Sequence, residues 1–254
     1  MRVGVDARHL PEGRGVARYL QRTLAALADA FPDDEWHALV PGRDALAWRP
    51  RPNVELHRTA LPGRLLFGLG AAVGRPTVSG LLGREVDVVW LPAPAPAGLD
   101  PRVPTVVTVH DLSFEQRPGD FTAYERLWHR AGRLARQARR AARVIAVSGA
   151  TRDAVVERWG VPAERIDVVR SGAGAIPACR RSRSEGEQDR RHVPSERPYL
   201  LFVGALEPRK AIDVLAGAYA RARAAGLTAD LVVAGGGRLA PRLDGLPGVR
   251  MLGP

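Results

Sequence analysis

Cysteine is nearly missing from this sequence, and its scarcity excludes two kinds of structural support. The single cysteine, Cys179, excludes an internal disulfide and any metal cluster built on several thiolates. No signal peptide is visible, because Arg2 is followed by a short strand-like run and then by Asp6 and Arg8. We therefore expect a chain that works in the reducing cytoplasm.

The Asp-x-Asp pattern and long apolar runs are also missing. No Asp-x-Asp sequence occurs, which argues against a metal-dependent sugar-nucleotide site built on two aspartates, and the six histidines show no metal-ligand spacing. The apolar stretch 65–82 is interrupted by Arg75 and Pro76 after about ten residues, too few to span a bilayer. It is predicted to be a core helix followed by a loop, and an interfacial segment is the alternative. The sequence predicts neither a bound metal nor a cofactor.

Acidic residues are outnumbered by basic ones, and the net charge is +11. Such a charge attracts nucleic acid, anionic lipid or phosphorylated substrates. A helix predicted over 121–142 carries several of the arginines, on either a solvated amphipathic face or a face that contacts anionic lipid headgroups. No nucleic-acid-binding motif is present, so a nucleic acid partner is not expected.

Short apolar runs alternate with helical stretches along most of the chain. Because the runs lack strict alternation, they predict an α/β fold with a parallel sheet covered on both faces. Residues 173–197 have the composition of an Arg-rich linker, so the predicted domains are 1–172 and 198–254. The second segment has three candidate strands, about half of a Rossmann-like domain. Strands are predicted at 2–5, 36–40, 54–56, 86–91, 105–109, 144–147, 166–169, 199–203, 230–234 and 249–252, and helices at 13–31, 121–142, 150–159 and 212–225.

The one lysine lies in a loop that follows a strand-like run. The run 199–203 ends at Gly204, and a short loop leads to Arg209 and Lys210. Arginine supplies all the other basic residues of the Lys and Arg type, so this position is predicted to need the compact ammonium of lysine. The ammonium can reach one phosphate oxygen, while the neighbouring Arg209 can bind two phosphate oxygens. Next to a predicted helix start, the two cations form a candidate diphosphate clamp. A solvated surface lysine is the alternative.

Two other loops follow predicted strands. In open α/β sheets, ligands bind beyond the carboxyl ends of the strands, so His110, which ends the run 105–109, could bond a sugar hydroxyl or shuttle a proton. The alternative is a structural histidine beside a helix-capping Asp111. Gly13 and Gly15 precede the first helix, where backbone N–H groups can approach a phosphate or sugar. A purely structural turn is the alternative there.

Together these segments resemble the GT-B-fold glycosyltransferases of family 4. They especially resemble the mannosyltransferase-like branch, whose second domain opens with Val-Gly-x-Leu-Glu-Pro-Arg-Lys, matched here from Val203 to Lys210. The loop 13–19, the strand end at His110 and the turn 147–153 also fit, in the same order. The resemblance covers essentially the whole chain.

The resemblance implies two Rossmann-like parallel-sheet domains, the second one incomplete. It also implies a retaining, metal-independent transfer of a hexose, with mannose as one candidate, from a nucleoside-diphosphate sugar to a glycan or lipid-linked acceptor. Arg209 and Lys210 would offset charge on the leaving diphosphate, Gly15 would let the backbone approach it, and His110 would contact the transferred sugar as the catalytic residue. Further donor or acceptor contacts are expected at Gly13, Asp111, Gly204, Glu207, Gly235 and Gly236.

Two departures from the family pattern shape these expectations. Ala205 stands where many members have Arg, and the family's Glu-x7-Glu motif would lie beyond residue 254. We therefore expect a C-terminally truncated chain with exposed apolar surface on its last segment and little transfer activity by itself. The alternatives are an incomplete fragment that acts only as a binding module, or an Arg-rich membrane-surface or nucleic-acid-binding protein. The expected location is cytoplasmic, with or without peripheral contact at the inner membrane face.

Overall fold

The protein consists of two compact units. A computed structural model describes residues 1–12, 15–42, 48–60, 63–172 and 197–253. The larger unit comprises residues 1–116 and 122–174, and the smaller unit comprises residues 117–121 and 175–254. Of the predicted linker 173–197 only Arg197 belongs to the described residues, and the candidate Gly13 also lies outside them. The predicted domain boundaries therefore stay a prediction.

A seven-stranded sheet forms the centre of the larger unit. Its neighbouring strands are parallel and follow the order β3-β2-β1-β4-β5-β6-β7. The chain runs outward from β1 to β3 and then returns to the other side of β1 through β4. Such a reversal opens a crevice at the carboxyl ends of the two central strands. The strands are β1 (Arg2–Asp6), β2 (Glu35–Pro41), β3 (Val54–Thr59), β4 (Val88–Leu91), β5 (Thr105–Val109), β6 (Arg143–Ala146) and β7 (Ile166–Val168).

Helices cover both faces of this sheet. Leu20 and Leu24 of the first helix pack with Trp36 in one apolar cluster, while Val107 and Trp159 belong to a second cluster. Burial on both faces explains why the central strands β1, β4 and β5 are largely apolar. The helices are α1 (Gly15–Ala30), α2 (Gly63–Val73), α3 (Val78–Leu82), α4 (Ser113–Gln116), α5 (Ala123–Ala131), α6 (Leu134–Arg140) and α7 (Gly149–Trp159).

The single helix predicted over 121–142 is wrong, because the structure has two helices there, α5 and α6. The break lies at Arg133, whose φ of 48° is left-handed, a conformation that cannot continue a right-handed helix. Gly132 makes the turn compact, since a Cβ there would lie 2.8 Å from the Leu134 side chain and 3.1 Å from Pro96. The apolar spacing alone does not show this break.

The loop predicted at the end of the stretch 65–82 is also wrong in part. A second helix, α3, follows α2, and its N-terminus is capped by Thr77, whose hydroxyl accepts a 3.0 Å hydrogen bond from the Gly80 amide. The cap offsets the unpaired amides that a short helix leaves at its start. None of the helices within the described ranges combines the length and apolarity that a bilayer crossing requires.

The smaller unit contains a three-stranded parallel sheet, in the order β10-β9-β8. Its strands are β8 (Tyr199–Val203), β9 (Asp230–Ala234) and β10 (Val249–Gly253), and the helix α8 (Ile212–Ala224) connects the first two. Its core includes Leu206, Ile212 and Leu231. On β8, Leu201 is 55% exposed and Val203 is 71% exposed, which confirms the expected apolar surface on this segment.

Candidate functional site

A buried ion pair stands at the carboxyl end of the central strand β1. The Asp6 and Arg8 side chains are only 3% and 8% exposed. Arg8 Nε donates to both Asp6 oxygens, at 2.9 and 2.8 Å, and Arg8 Nη1 donates to the Pro96 carbonyl at 2.7 Å. The guanidinium also lies 3.3 Å from the centre of the Phe67 ring. A charge is stable in such surroundings only when it is paired, so this pair holds the loop after β4 against β1.

His110 follows β5 at the same edge of the sheet. Its Nε2 atom lies 2.9 Å from the Pro92 carbonyl, which can only accept, so Nε2 carries the proton and Nδ1 is left as an acceptor. Tyr19 of α1 packs edge-on against the imidazole at 4.8 Å. Burial, opposed by the Pro92 bond, lowers the pKa of His110, which favours the neutral ring at pH 7. The imidazole is thus oriented to accept a hydrogen bond from a hydroxyl.

Asp111 and Ser148 act mainly as caps in the same region. Asp111 Oδ1 accepts from the Ser113 amide at 2.9 Å and from the Ser113 hydroxyl at 2.5 Å. Ser148 caps α7 by accepting from the Thr151 amide at 3.1 Å, and Thr151 Oγ1 donates to the His110 carbonyl at 3.1 Å. The capping role considered for Asp111 is therefore observed, and the loop at His110 is held by α7 as well as by β5.

Gly15 begins α1, the helix that carries Tyr19. Among the described residues, no atom lies within 4 Å of the position that a Cβ at Gly15 would take, and its φ is not left-handed. Neither packing nor backbone conformation in the described part of the chain therefore requires a glycine here. The free space lies at the N-terminus of a 16-residue helix, where amides can bind an anion.

In the smaller unit, the loops after β8 and β9 are in direct backbone-to-backbone contact. The Gly204 amide donates to the Ala234 carbonyl at 3.0 Å, and the Leu206 amide donates to the Gly236 carbonyl at 2.9 Å. A Cβ on Gly235 would lie 1.9 Å from the Gly204 carbonyl oxygen, and the φ of Gly235 is 154°. Glycine is required by this close approach, so the run 235–237 joins two loops at one sheet edge.

Lys210 and Arg209 differ in their surroundings although they are neighbours. Arg209 Nε donates to Glu207 Oε2 at 2.9 Å, and both side chains are about one-third exposed. The Lys210 side chain is exposed and has no hydrogen bond or ion pair with the described residues. Ala211 then adopts a left-handed φ of 54° before α8 begins. The Lys210 ammonium can therefore bind a ligand without breaking a contact to a described residue. Arg209 can bind the same ligand only if it leaves the Glu207 carboxylate or shares it.

The predicted site residues fall into two groups. The larger unit holds Gly15, His110 and Asp111 at the carboxyl end of its sheet. The smaller unit holds the others in the loops after β8 and β9, namely Gly204, Glu207, Arg209, Lys210, Gly235 and Gly236. Sequence reasoning missed the Asp6–Arg8 ion pair and the Tyr19 contact. The sequence did offer one signal for the ion pair, because Asp6 and Arg8 stand at the end of a buried strand.

A cavity of about 930 Å³ lies elsewhere in the larger unit. Its lining includes Thr105, the first residue of β5, and Ala142, which precedes β6. It therefore opens at the amino ends of the strands, away from His110. We place the candidate site at the carboxyl ends, because the switch in strand order and the oriented imidazole are both found there.

Comparison with known proteins agrees with this architecture. The chain is 18% identical to HepE from Anabaena, whose structure was solved in complex with UDP and glucose, with a TM-score of 0.59 over 99% of this chain and 68% of HepE. It is 17% identical to WaaG, a glycosyltransferase involved in lipopolysaccharide biosynthesis, with a TM-score of 0.62 over 100% of this chain and 70% of WaaG. No curated protein matches the sequence significantly. At such identities the likeness shows the fold, which confirms the prediction of an α/β, GT-B-like fold with two Rossmann-like parallel-sheet units.

The family follows from the sequence itself. The family model described as Glycosyltransferase Family 4 matches residues 13–173, which is more than half of the 254 residues. The matched range contains the loop before α1, β5 with His110, and α7. On this match the chain belongs to glycosyltransferase family 4.

Proposed function

We propose that the chain binds a nucleoside-diphosphate sugar and transfers its hexose, with retention of configuration and without a bound metal or cofactor, to a glycan or lipid-linked acceptor. The observation that carries the proposal is the Glu207–Lys210 loop. It offers an ammonium that is not paired with any described residue, and a second cation, after a parallel strand and before a 13-residue helix, where diphosphates bind in α/β folds. That HepE was crystallised with UDP and glucose supports a uridine nucleotide as the first donor to test.

The roles of the two units follow from their chemistry. In the smaller unit, Lys210 and Arg209 would neutralise the diphosphate as its negative charge increases during bond cleavage. The Gly204 and Gly235 backbone would leave room for the nucleotide. In the larger unit, His110 Nδ1 would accept a hydroxyl hydrogen of the transferred sugar, and the amides that begin α1 at Gly15 would approach the sugar or diphosphate. Mannose stays one candidate hexose, from the Glu-Pro-Arg-Lys segment.

A donor screen tests the proposal. UDP, GDP and ADP sugars would be compared by thermal shift and by hydrolysis, with and without EDTA, on wild type and on Lys210→Ala. We expect one nucleotide class to raise the melting temperature of the wild type, unaffected by EDTA. Binding is the primary readout, because the chain spans 68–70% of the two structural neighbours' lengths. The proposal fails if no nucleotide sugar shifts the wild-type melting temperature, or if EDTA abolishes the shift.

We also propose peripheral contact with an anionic membrane through α5. Tyr124 and Leu127 are 52% and 66% exposed, on a helix that also carries the exposed Arg126 and Arg130. Apolar side chains flanked by arginines are typical of interfacial helices. The test is co-sedimentation with vesicles of anionic or neutral lipid. Leu127→Glu should reduce binding to anionic vesicles, and equal binding of the variant and the wild type would refute this contact.

A further inference from the structure

Three side chains with metal-binding atoms meet on the outer strands of the larger unit. His37 of β2 and Glu55 and His57 of β3 place one ligand atom each within 4.8 Å of the others. His37 Nδ1 lies 3.1 Å from His57 Nε2 and 3.4 Å from Glu55 Oε2, and His57 Nε2 lies 3.5 Å from the same carboxylate oxygen. The cluster is separate from the candidate site at His110.

These three distances have a specific chemical meaning. A tetrahedral zinc ion with bonds of about 2.0–2.2 Å separates its ligand atoms by roughly 3.3–3.6 Å. The observed triangle, with sides of 3.1, 3.4 and 3.5 Å, is close to one face of such a tetrahedron. We propose that His37, Glu55 and His57 bind a divalent transition-metal ion of the zinc type, with a solvent molecule as the fourth ligand.

Strand register fixes this geometry. His37 is the register partner of Glu55, and His57 is the partner of Leu39, two residues after His37. Side chains two residues apart point to the same face of a sheet, so all three ligands share one face. His37 is 7% exposed, whereas His57 and Glu55 are 15% and 52% exposed. Metal ligands held on rigid strands lose little entropy on binding, and the exposed side gives the ion an entry path.

The groups around the cluster favour the ligating protonation states. Glu35 Oε2 lies 3.5 Å from His37 Nε2, so this carboxylate favours a proton on Nε2 and leaves the Nδ1 lone pair for a metal, as in carboxylate–histidine–zinc arrangements. Arg84 lies 3.9 Å from Glu55 Oε1, so the other oxygen, Oε2, faces the histidines.

The ligand set also selects the kind of ion. Two imidazoles with one carboxylate suit zinc and neighbouring transition metals, whereas magnesium and calcium prefer oxygen ligands only. The ion would join β3, the last strand on its side of the described sheet, to β2. Because the ligands lie within the two strands and not in the loops that follow them, the expected role is to stabilise the sheet. The metal-independent transfer proposed above does not involve this ion.

The test uses untagged protein of full length. Calorimetric titration with Zn²⁺ after treatment with a chelator should give one saturable site, and Co²⁺ should give the visible absorption of a tetrahedral complex. His37→Ala, Glu55→Gln and His57→Ala should each weaken zinc binding by more than ~100-fold, beyond the 10–100-fold range seen for residues next to metal ligands. Glu35→Gln should fall within that range.

Matched controls separate this site from adventitious binding. His129→Gln removes a histidine from α5, and Glu85→Gln removes an exposed carboxylate near Arg2, so both should bind zinc as the wild type does. Because His37 is buried and Glu55 is half-exposed, circular dichroism checks the fold of each variant, and Glu55→Gln tests the site without removing a buried side chain. The proposal is overturned if the wild type shows no saturable zinc site, or if folded Glu55→Gln and His57→Ala bind zinc as tightly as the controls.

Discussion

Lys210→Ala is the most direct perturbation of the proposed donor site. The Lys210 ammonium is exposed and has no ion pair among the described residues, so its removal should leave the smaller unit folded. A hydrogen bond to a charged group contributes about 1.5–3 kcal/mol, which corresponds to a loss of about 10- to 150-fold in affinity for a nucleoside diphosphate. Lys210→Arg should retain part of this affinity, because it keeps the charge but changes the donor geometry.

The assay is calorimetric titration with UDP and GDP at two ionic strengths. Arg221→Ala is the matched control, since it removes one exposed positive charge from α8 of the same unit. A long-range charge effect would weaken binding similarly in both variants and would fade at high salt. A direct contact would weaken it only in Lys210→Ala. The reasoning is refuted if Lys210→Ala binds within twofold of the wild type, or if Arg221→Ala loses as much affinity.

Three further predictions concern stability, protonation and association. Gly235→Ala should destabilise the smaller unit by at least about 2 kcal/mol, because the new Cβ would overlap the Gly204 carbonyl. The control Gly217→Ala in α8 should stabilise the unit by up to about 1 kcal/mol. Urea denaturation measures both free energies of unfolding, and equal effects of the two substitutions would contradict the reasoning. Because burial lowers the pKa of His110, the neutral ring should contribute fully to stability above pH ~6.5, and this contribution should be lost as the pH falls from the unfolded to the folded pKa. Imidazole NMR, with His110→Gln to assign the signal, should give a titration midpoint below that of a free histidine. A midpoint at or above the free value would count against the burial. Leu201→Lys on the exposed strand β8 should reduce self-association in analytical ultracentrifugation, and unchanged association would show that this surface is not responsible.

Much of the fold could be predicted from local pattern. The runs 105–109, 199–203 and 230–234 coincide with β5, β8 and β9 as observed. β5 and β9 are largely buried and therefore apolar along their length, whereas β8 is a continuous apolar run although most of it is exposed. The helix 150–159 was also found, since Ser148 is a strong capping residue. The break at Arg133 was missed, because a left-handed residue between two amphipathic helices leaves their apolar spacing unchanged.

The candidate site was predictable in part, for a related reason. Lys210 could be singled out by composition, and His110 by its place after a buried strand, because both signals are local. That Arg209 is held by Glu207, while Lys210 is not paired within the described residues, depends on side-chain geometry. The need for glycine at Gly235 depends on the approach of Gly204, about thirty positions earlier in the chain.

By itself, the sequence determined the fold class, the family and the scarcity of lysine that points to Lys210. These properties follow from composition, periodicity and short motifs, which are local along the chain. Only the tertiary structure decided which distant groups meet, namely Asp6 and Arg8 with the loop at Pro96, and His37 with His57. Strand order and register determine these contacts. Both depend on how the whole sheet packs, which no short segment of the sequence encodes.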